Sequence, residues 1–534
     1  MTEATRLFIL VLTVLLLQGC SQFSPFQSNN ESSSLVVPTG AIAADNTEPP
    51  ALVQLEPEPI PLPPADLWQR IRSGFALSEI DDQRIEQYVS WYSKHQRYID
   101  RVSDRGQRYL YHIVERLEEE GLPLEIALLP VIESAFDPFA YSHGRASGMW
   151  QFLVGTGGDY GLRQSWWFDG RRDVIDSTEG AISYLKHLHQ MFDNDWLLAL
   201  AAYNTGQGNL RRAIARNKRA GKPTDFWSLQ LPRETRAYVP QLLALSRVVG
   251  NPEKYGITLP GMPNQPYFVS VDTGSQIDLA EAAELAGISM DELYLLNPGF
   301  NRWATDPEGP HRLLLPVSLA EAFTLALAEI PAEQRISWQR YTIKSGDSLG
   351  KIARQYNTSI DALKIANQLK STRIRAGASL LIPSAREPAA FYAHSQSQRL
   401  QQTQNQAQGA PGSQRIEYTV KSGDSFWRIA NQHQVTVNAL ARWNGMAPRD
   451  TLRPGQKLVV WSQSAQTTTV ANTQSNGVTR KLSYKVRQGD SLARIASRFN
   501  VSITDISRWN DVSTRGYIHP GQLLTLFVDV TKAR

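Results

Sequence analysis

Leu129-Pro130-Val131-Ile132-Glu133-Ser134-Ala135-Phe136-Asp137-Pro138 is an apolar run with a carboxyl near its end. Pro123, just upstream, suits the first turn of a helix, where its missing N–H is not needed. Asp137-Pro138 should end that helix, because the residue before a proline is pushed out of the α region. The sequence therefore predicts a helix over 123–135 with Glu133 in its last turn, flanked by Val131, Ile132 and Phe136. Apolar surroundings oppose ionisation, and the negative end of the helix dipole acts the same way. A carboxyl so placed can stay protonated near neutral pH, the state a general acid requires. Taken alone, the same residue also reads as a surface glutamate of an amphipathic helix.

Outward from this run the pattern is helical. Trp68, Ile71, Phe75, then Ile85, Tyr88, Val89, Tyr92, then Tyr109, Ile113, Val114, Leu117 recur at three- and four-residue steps. Further helices fit 177–191, 195–203, 209–220 and 234–248, and no period-2 run stands out between 66 and 250. The C-terminal half differs: three units share one register. Asp347, Asp424 and Asp490, each after a glycine, precede Asn367, Asn444 and Asn510 by the same interval of 20 residues. Each unit opens on a short strand at Tyr341, Tyr418 or Tyr484. It continues through two helices and closes on Leu380-Leu381-Ile382, Leu458-Val459-Val460 or Leu523-Leu524-Thr525. A degenerate fourth copy precedes them, with Tyr267-Phe268-Val269-Ser270, Asn297 and Leu313-Leu314-Leu315-Pro316 in matching places and Gln276-Ile277 where the Gly-Asp turn would be.

At 534 residues the chain is too long for one core. Its 55 Lys and Arg against 51 Asp and Glu show no long basic run, so nucleic acid is not an expected partner. Cys20 is the only cysteine, which excludes an intrachain disulfide and a cysteine metal site. The apolar run Leu7–Leu17 falls short of the ~20 residues that span a bilayer. With Leu17-Gln18-Gly19-Cys20 after it, the segment resembles a bacterial lipoprotein signal, which implies acylation of Cys20. Ser21, not aspartate, follows, so by that analogy the anchor is the outer membrane and the protein periplasmic. Lipid chains at Cys20 would be its membrane contact.

Three further strings follow Glu133 in order: Gly148-Met149-Trp150-Gln151-Phe152, Ala201-Ala202-Tyr203-Asn204-Thr205-Gly206 and Glu234-Thr235-Arg236-Ala237-Tyr238-Val239-Pro240. Their order and spacing over about 115–245 resemble the lysozyme-like domain of the soluble-lytic-transglycosylase type. The resemblance makes Glu133 the catalytic acid and base. It makes Ser134, Ser142, Met149, Gln151, Tyr203, Asn204 and Tyr238 substrate-contacting residues, with Glu179 as polar support. Trp150 departs from the leucine common in the wider family. The family cleaves the bond between N-acetylmuramate and N-acetylglucosamine in peptidoglycan with one essential carboxyl, ending in a 1,6-anhydro ring. The C-terminal repeats resemble LysM modules, which bind N-acetylglucosamine-containing glycans. Trp427 is their candidate for sugar stacking, while Trp443 and Trp509 read as core.

The expected fold class is multidomain α+β: a mostly α lysozyme-like catalytic domain, then small βααβ LysM modules on flexible linkers. The divisions are a signal peptide (1–20), a disordered tether (21–65), the catalytic domain (66–250), a degenerate LysM-like module (264–318) and LysM modules at 340–384, 416–461 and 482–528. Linkers fill 385–415 and 462–481. The expected activity is lytic endotransglycosylation of peptidoglycan glycan strands by a monomer, with no cofactor. His143, His187 and His189 lack metal-ligand support, so no metal site is read. Asp159, Asp169 and Asp173 leave a hydrolytic muramidase open, as a goose-type lysozyme would be, and a non-catalytic wall-binding lipoprotein is the other rival. Trp166-Trp167-Phe168 fits either a stacking platform or internal packing.

Overall fold

A computed structural model describes residues 65–356, 358–463, 479–499, 501–510, 512 and 518–529. These all fall in the second of two units, Pro63–Arg534. The lipoprotein signal with Cys20, nearly all of the 21–65 tether and most of the 462–481 linker lie outside the described residues.

Helices α1 (Leu67–Ser73), α2 (Gln83–Tyr92), α3 (Gln96–Gly106), α4 (Leu110–Glu119), α5 (Leu129–Ser134), α6 (Val154–Asp159), α7 (Val174–Met191), α8 (Trp196–Thr205), α9 (Gln207–Arg219) and α10 (Arg233–Gly250) form the first domain. The 18-residue α10 is its spine and packs against α1, α2, α5 and α8. Leu198–Ala202 of α8 are all buried, as an all-round apolar helix must be.

The helix expected over 123–135 is two pieces, a 3₁₀ turn Leu124–Leu128 and then α5. Pro130 has no N–H to return to the preceding turn, so α-type bonding starts at its own position. The end also differs from expectation. Ala135 (φ 52°) and Phe136 (φ 54°) are both left-handed, and their N–H groups donate to Val131 O and Pro130 O at 3.1 Å each. That paired closure ends α5 ahead of Asp137-Pro138, and the buried Phe136 ring anchors it. Asp137 Oδ1 instead accepts from Phe139 N–H at 2.9 Å, shaping the loop beyond.

Each repeat is an antiparallel strand pair flanking two helices. The first has β3 (Ser337–Thr342) with β4 (Ser379–Ser384), around α14 (Leu349–Gln355) and α15 (Ile360–Ala366). The second has β5 (Ser413–Thr419) with β6 (Lys457–Gln463), around α17 (Phe426–Gln432) and α18 (Val437–Trp443). The third has β7 (Thr479–Lys485) with β8 (Leu523–Asp529), around α19 (Leu492–Phe499) and α20 (Ile503–Asn510). One polar skeleton holds all three. Asp347, Asp424 and Asp490 each accept from the strand tyrosine hydroxyl and from a turn N–H at 2.7–2.9 Å. Ser348, Ser425 and Ser491 accept from Lys351, Arg428 and Arg494 N–H, satisfying free donors at the first helix. Asn367 clasps Leu363 O and Leu381 on both its N–H and C=O, and Asn444 and Asn510 repeat this on Val459 and Thr525.

The fourth copy shares that clasp: Asn297 holds Leu293 O and both backbone groups of Leu314. It comprises β1 (Phe268–Asp272), α11 (Leu279–Ala286), α12 (Met290–Leu296) and β2 (Arg312–Pro316). It runs past the expected end at 318 into α13 (Ala320–Ala328), whose Phe323 and Leu327 are buried against it. This copy is fused to the first domain. Tyr109 donates to Leu295 O at 2.8 Å, Arg312 bonds Asp173 at 2.6 Å, and Phe268, Leu296 and Leu314 enter the first domain's core. Trp167 and Phe168 pack on the Phe300 and Trp303 rings, so the Trp166-Trp167-Phe168 string is packing between the two domains.

The 385–415 segment, expected to be a flexible linker, is ordered. Tyr392, only 1 % exposed, bonds Asp278 at 2.9 Å, and α16 (Gln396–Gln406) follows. Its low hydropathy hid this, because the helix is fixed by a few polar and aromatic contacts and no residue of it is buried.

Candidate active site

Glu133 ends α5 on the face that meets α10. Tyr238 of α10, 4 % exposed, donates its hydroxyl to Glu133 Oε1 at 2.5 Å. Desolvation pushes the Glu133 carboxyl up to about 7; the Tyr238 hydrogen bond opposes this, and the negative charge of Glu234 adds to it. The residue is surrounded by protein yet keeps partial solvent access. A side chain at that value carries and releases a proton with little bias near neutral pH.

Tyr203 of α8 lies close enough for the charge of Glu133 to reach it, and burial first, then that charge, holds its phenol well above the usual tyrosine range. It donates to Trp150 O at 2.8 Å. Ser134 Oγ sits 3.1 Å from Pro130 O and 3.0 Å from Met149 O. Two residues of the site are thus tied to the backbone of the 148–152 string. Gly148 (φ 84°) makes that string possible, since a Cβ there would lie 2.0 Å from Arg171 O. Gln151 is itself left-handed (φ 51°), and its Nε2 folds back to donate to Gly148 O at 2.8 Å.

Asn204, next to Tyr203, accepts from the Thr235 hydroxyl at 2.8 Å. Thr235 is buried and was missed; its only sequence signal is its place beside Glu234 in the last string. Glu234 was likewise missed as a charge that acts on Glu133.

Other expected residues have different surroundings. Met149 is fully buried, so its side chain is core and its carbonyl is what reaches the site. Glu179 is held by Arg116 at 2.5 Å, beside Lys186 and Glu120 on the α4–α7 surface, and is not brought to Glu133. Ser142 Oγ accepts from Ala146 N–H at 2.9 Å and closes the 142–146 turn. Trp150 donates to Thr178 Oγ1 inside the core, which accounts for the bulky residue at that position. Of the open carboxylates, Asp169 is paired with Arg171 at 2.8 Å, Asp173 caps α7 and bonds Arg312, and Asp159 is exposed. In the repeats, Trp427 is 63 % exposed while Trp443 is core.

A raised carboxyl steered by a tyrosine, on a mostly α domain followed by strand–helix–helix–strand modules, defines a lysozyme-like glycan-cleaving class. Family models agree. Residues 111–226 match the transglycosylase SLT domain, 267–332 match the LysM-like domain of lytic transglycosylase MltD, and 341–383, 418–461 and 484–527 match LysM. Over 409 residues the chain is 36 % identical to the membrane-bound lytic murein transglycosylase D of Escherichia coli, covering 75 % of this chain and 86 % of that one. The chain belongs to that family of lytic transglycosylases. Its likeness to an autolysin of Enterococcus faecalis is confined to 176 residues at 32 % identity, 32 % of this chain and 22 % of that protein. Among solved structures, the 70 kDa soluble lytic transglycosylase of Escherichia coli matches at 21 % identity over 31 % of this chain and 30 % of that one, with a TM-score of 0.22.

Proposed function

We propose that this lytic transglycosylase cuts peptidoglycan within the strand, at the bond from N-acetylmuramate to N-acetylglucosamine, with Glu133 as sole acid and base. The protonated carboxyl delivers its proton to the bridging oxygen as that bond breaks. The acetamido group stabilises the positive charge at the anomeric carbon. Glu133, now a carboxylate held by the Tyr238 hydroxyl, takes the proton of the muramyl 6-hydroxyl as that oxygen closes the 1,6-anhydro ring. A nucleophile already within the sugar removes much of the entropic cost of attack. The observation that carries this reading is the Tyr238–Glu133 bond on a carboxyl pushed up to about 7. The engagement of Asp169 and Asp173 in structural ion pairs weighs against a hydrolytic second carboxylate.

Ser134, Ser142, Gln151, Tyr203 and Asn204 would line or support the sugar site, and the LysM modules would hold the enzyme on its polymer. Cys20 would carry the lipid anchor of a monomer at the periplasmic face of the outer membrane. The Leu17-Gln18-Gly19-Cys20 string supports this, as does the likeness to the membrane-bound lytic murein transglycosylase D of Escherichia coli. Mass spectrometry of digested sacculi tests the chemistry. Anhydromuramyl ends, lost in Glu133→Gln, are expected; reducing muramic acid ends would overturn it. Palmitate labelling that survives Cys20→Ala would remove the anchor.

A further inference from the structure

The loop between Glu133 and Gln151 is gripped from outside its own domain. The Phe139 ring is stacked by His394 at 5.1 Å and covered by Arg399 at 4.7 Å, both from the ordered 385–415 segment. That segment then carries the second LysM module. Gln404 of α16 donates to Asn444 Oδ1 at 2.9 Å, Trp443 donates to Gln408 O at 3.1 Å, and Leu400 and Thr403 pack at Gly445. Among the described residues, Asp450 ties the module back to the catalytic domain. Asp450 accepts from the Tyr141 hydroxyl at 3.0 Å and from Arg145 Nε at 2.9 Å, while its own Ala447 N–H fixes it at 2.8 Å. Tyr141 and Arg145 bracket Ser142, in the turn joined to the 148–152 string by the Ala140–Gly148 and Ser147–Phe152 backbone bonds.

The carboxylate is peculiar to this module. Six residues beyond the clasping asparagine stand Arg373 in the first module, Asp450 in the second and Gly516 in the third. The Asp450 side chain is 14 % exposed while that of Arg145 is 44 % exposed, so water partly screens the pair from the Arg145 side.

We infer that Asp450 latches the second LysM module to the 139–147 loop, so that this module and the Glu133 site hold one glycan strand between them. The inference rests on the proposed strand cleavage at Glu133. Asp450 is a positioning residue in it. A module fixed beside the site presents its sugar-binding surface at a set distance, whereas a module on a free tether samples many.

The test uses the full chain with Asp450→Arg, which installs the first module's residue. Activity on sacculi should fall about tenfold through KM, as an effective-concentration effect would. kcat/KM on a short soluble muro-oligosaccharide should stay within about twofold, and Arg145→Asp combined with Asp450→Arg should recover most of the loss. Equal loss on both substrates, no loss on either, or a gain would each overturn the latch. As an independent measure, Arg145→Cys with Asp450→Cys in a Cys20→Ser background should be joined by a short bis-maleimide, which replaces the reach of the Arg145 side chain that a direct disulfide could not span, and failure to do so counts against it. Anhydromuramyl products from the unaltered chain keep the strand-cleavage reading standing if the latch fails.

Discussion

Replacing Glu133 by glutamine should make the catalytic domain more stable, by an amount that depends on pH. Folding raises this carboxyl from 4.5 to about 7, so the folded state binds the proton more tightly than the unfolded chain does. The stability associated with that proton is fully present below about pH 4.5 and is lost as pH rises through about 7. At 1.36 kcal/mol per unit, the shift corresponds to about 3 kcal/mol, and partial solvent access reduces it to about 2–3 kcal/mol. Glutamine cannot ionise, and its amide oxygen still accepts from Tyr238. The variant should therefore match the unaltered chain at pH 4, apart from a constant offset, and pull ahead by pH 9. For a domain of this size the relative gain is roughly 5–10 °C in the calorimetric midpoint. A difference between the two proteins that is the same at pH 4 and pH 9 would refute the claim that burial holds this proton.

Tyr238→Phe removes a donor that favours the carboxylate, so the alkaline limb of kcat/KM, expected near pH 7, should move up by about 1–2 units; an unmoved limb would show that the bond does not tune the acid. Thr235→Val frees Asn204 from its 2.8 Å bond, and kcat/KM should fall about 3- to 10-fold while the circular dichroism spectrum is kept. Asn444→Ala leaves the backbone groups of Val459 without partners inside the second module, and should cost about 2–4 kcal/mol there. Hydrogen exchange should then show loss of protection confined to that module.

Local signals were readable where one residue type at one spacing has a single physical use. The Gly-Asp turns and their asparagines gave the repeats, and Asn297 gave the fourth copy because the clasp leaves little choice of side chain. Glu133 could be placed near a helix end from Pro123 and Pro138. The true terminus could not, because Ala135 and Phe136 carry no mark of a left-handed conformation; the buried Phe136 ring imposes it. Met149 was misread as a contact surface because its string reaches the site through carbonyls, whose direction the sequence does not encode. Glu179 was misread because Arg116, its partner, lies in a helix far upstream. The ordered 385–415 segment was hidden for a related reason: the groups that fix it, Asp278, Asn301 and Phe139, all belong to other elements.

In every repeat the aspartate, the asparagine and the capping serine are consumed by the scaffold itself. Recognition must then fall to residues the framework does not use, so a module's grip on its polymer can drift up or down without endangering its shape. The copy built around Asn297 illustrates how far such freedom extends: the same frame has become a wall of the enzyme, its outer face spent on a neighbour.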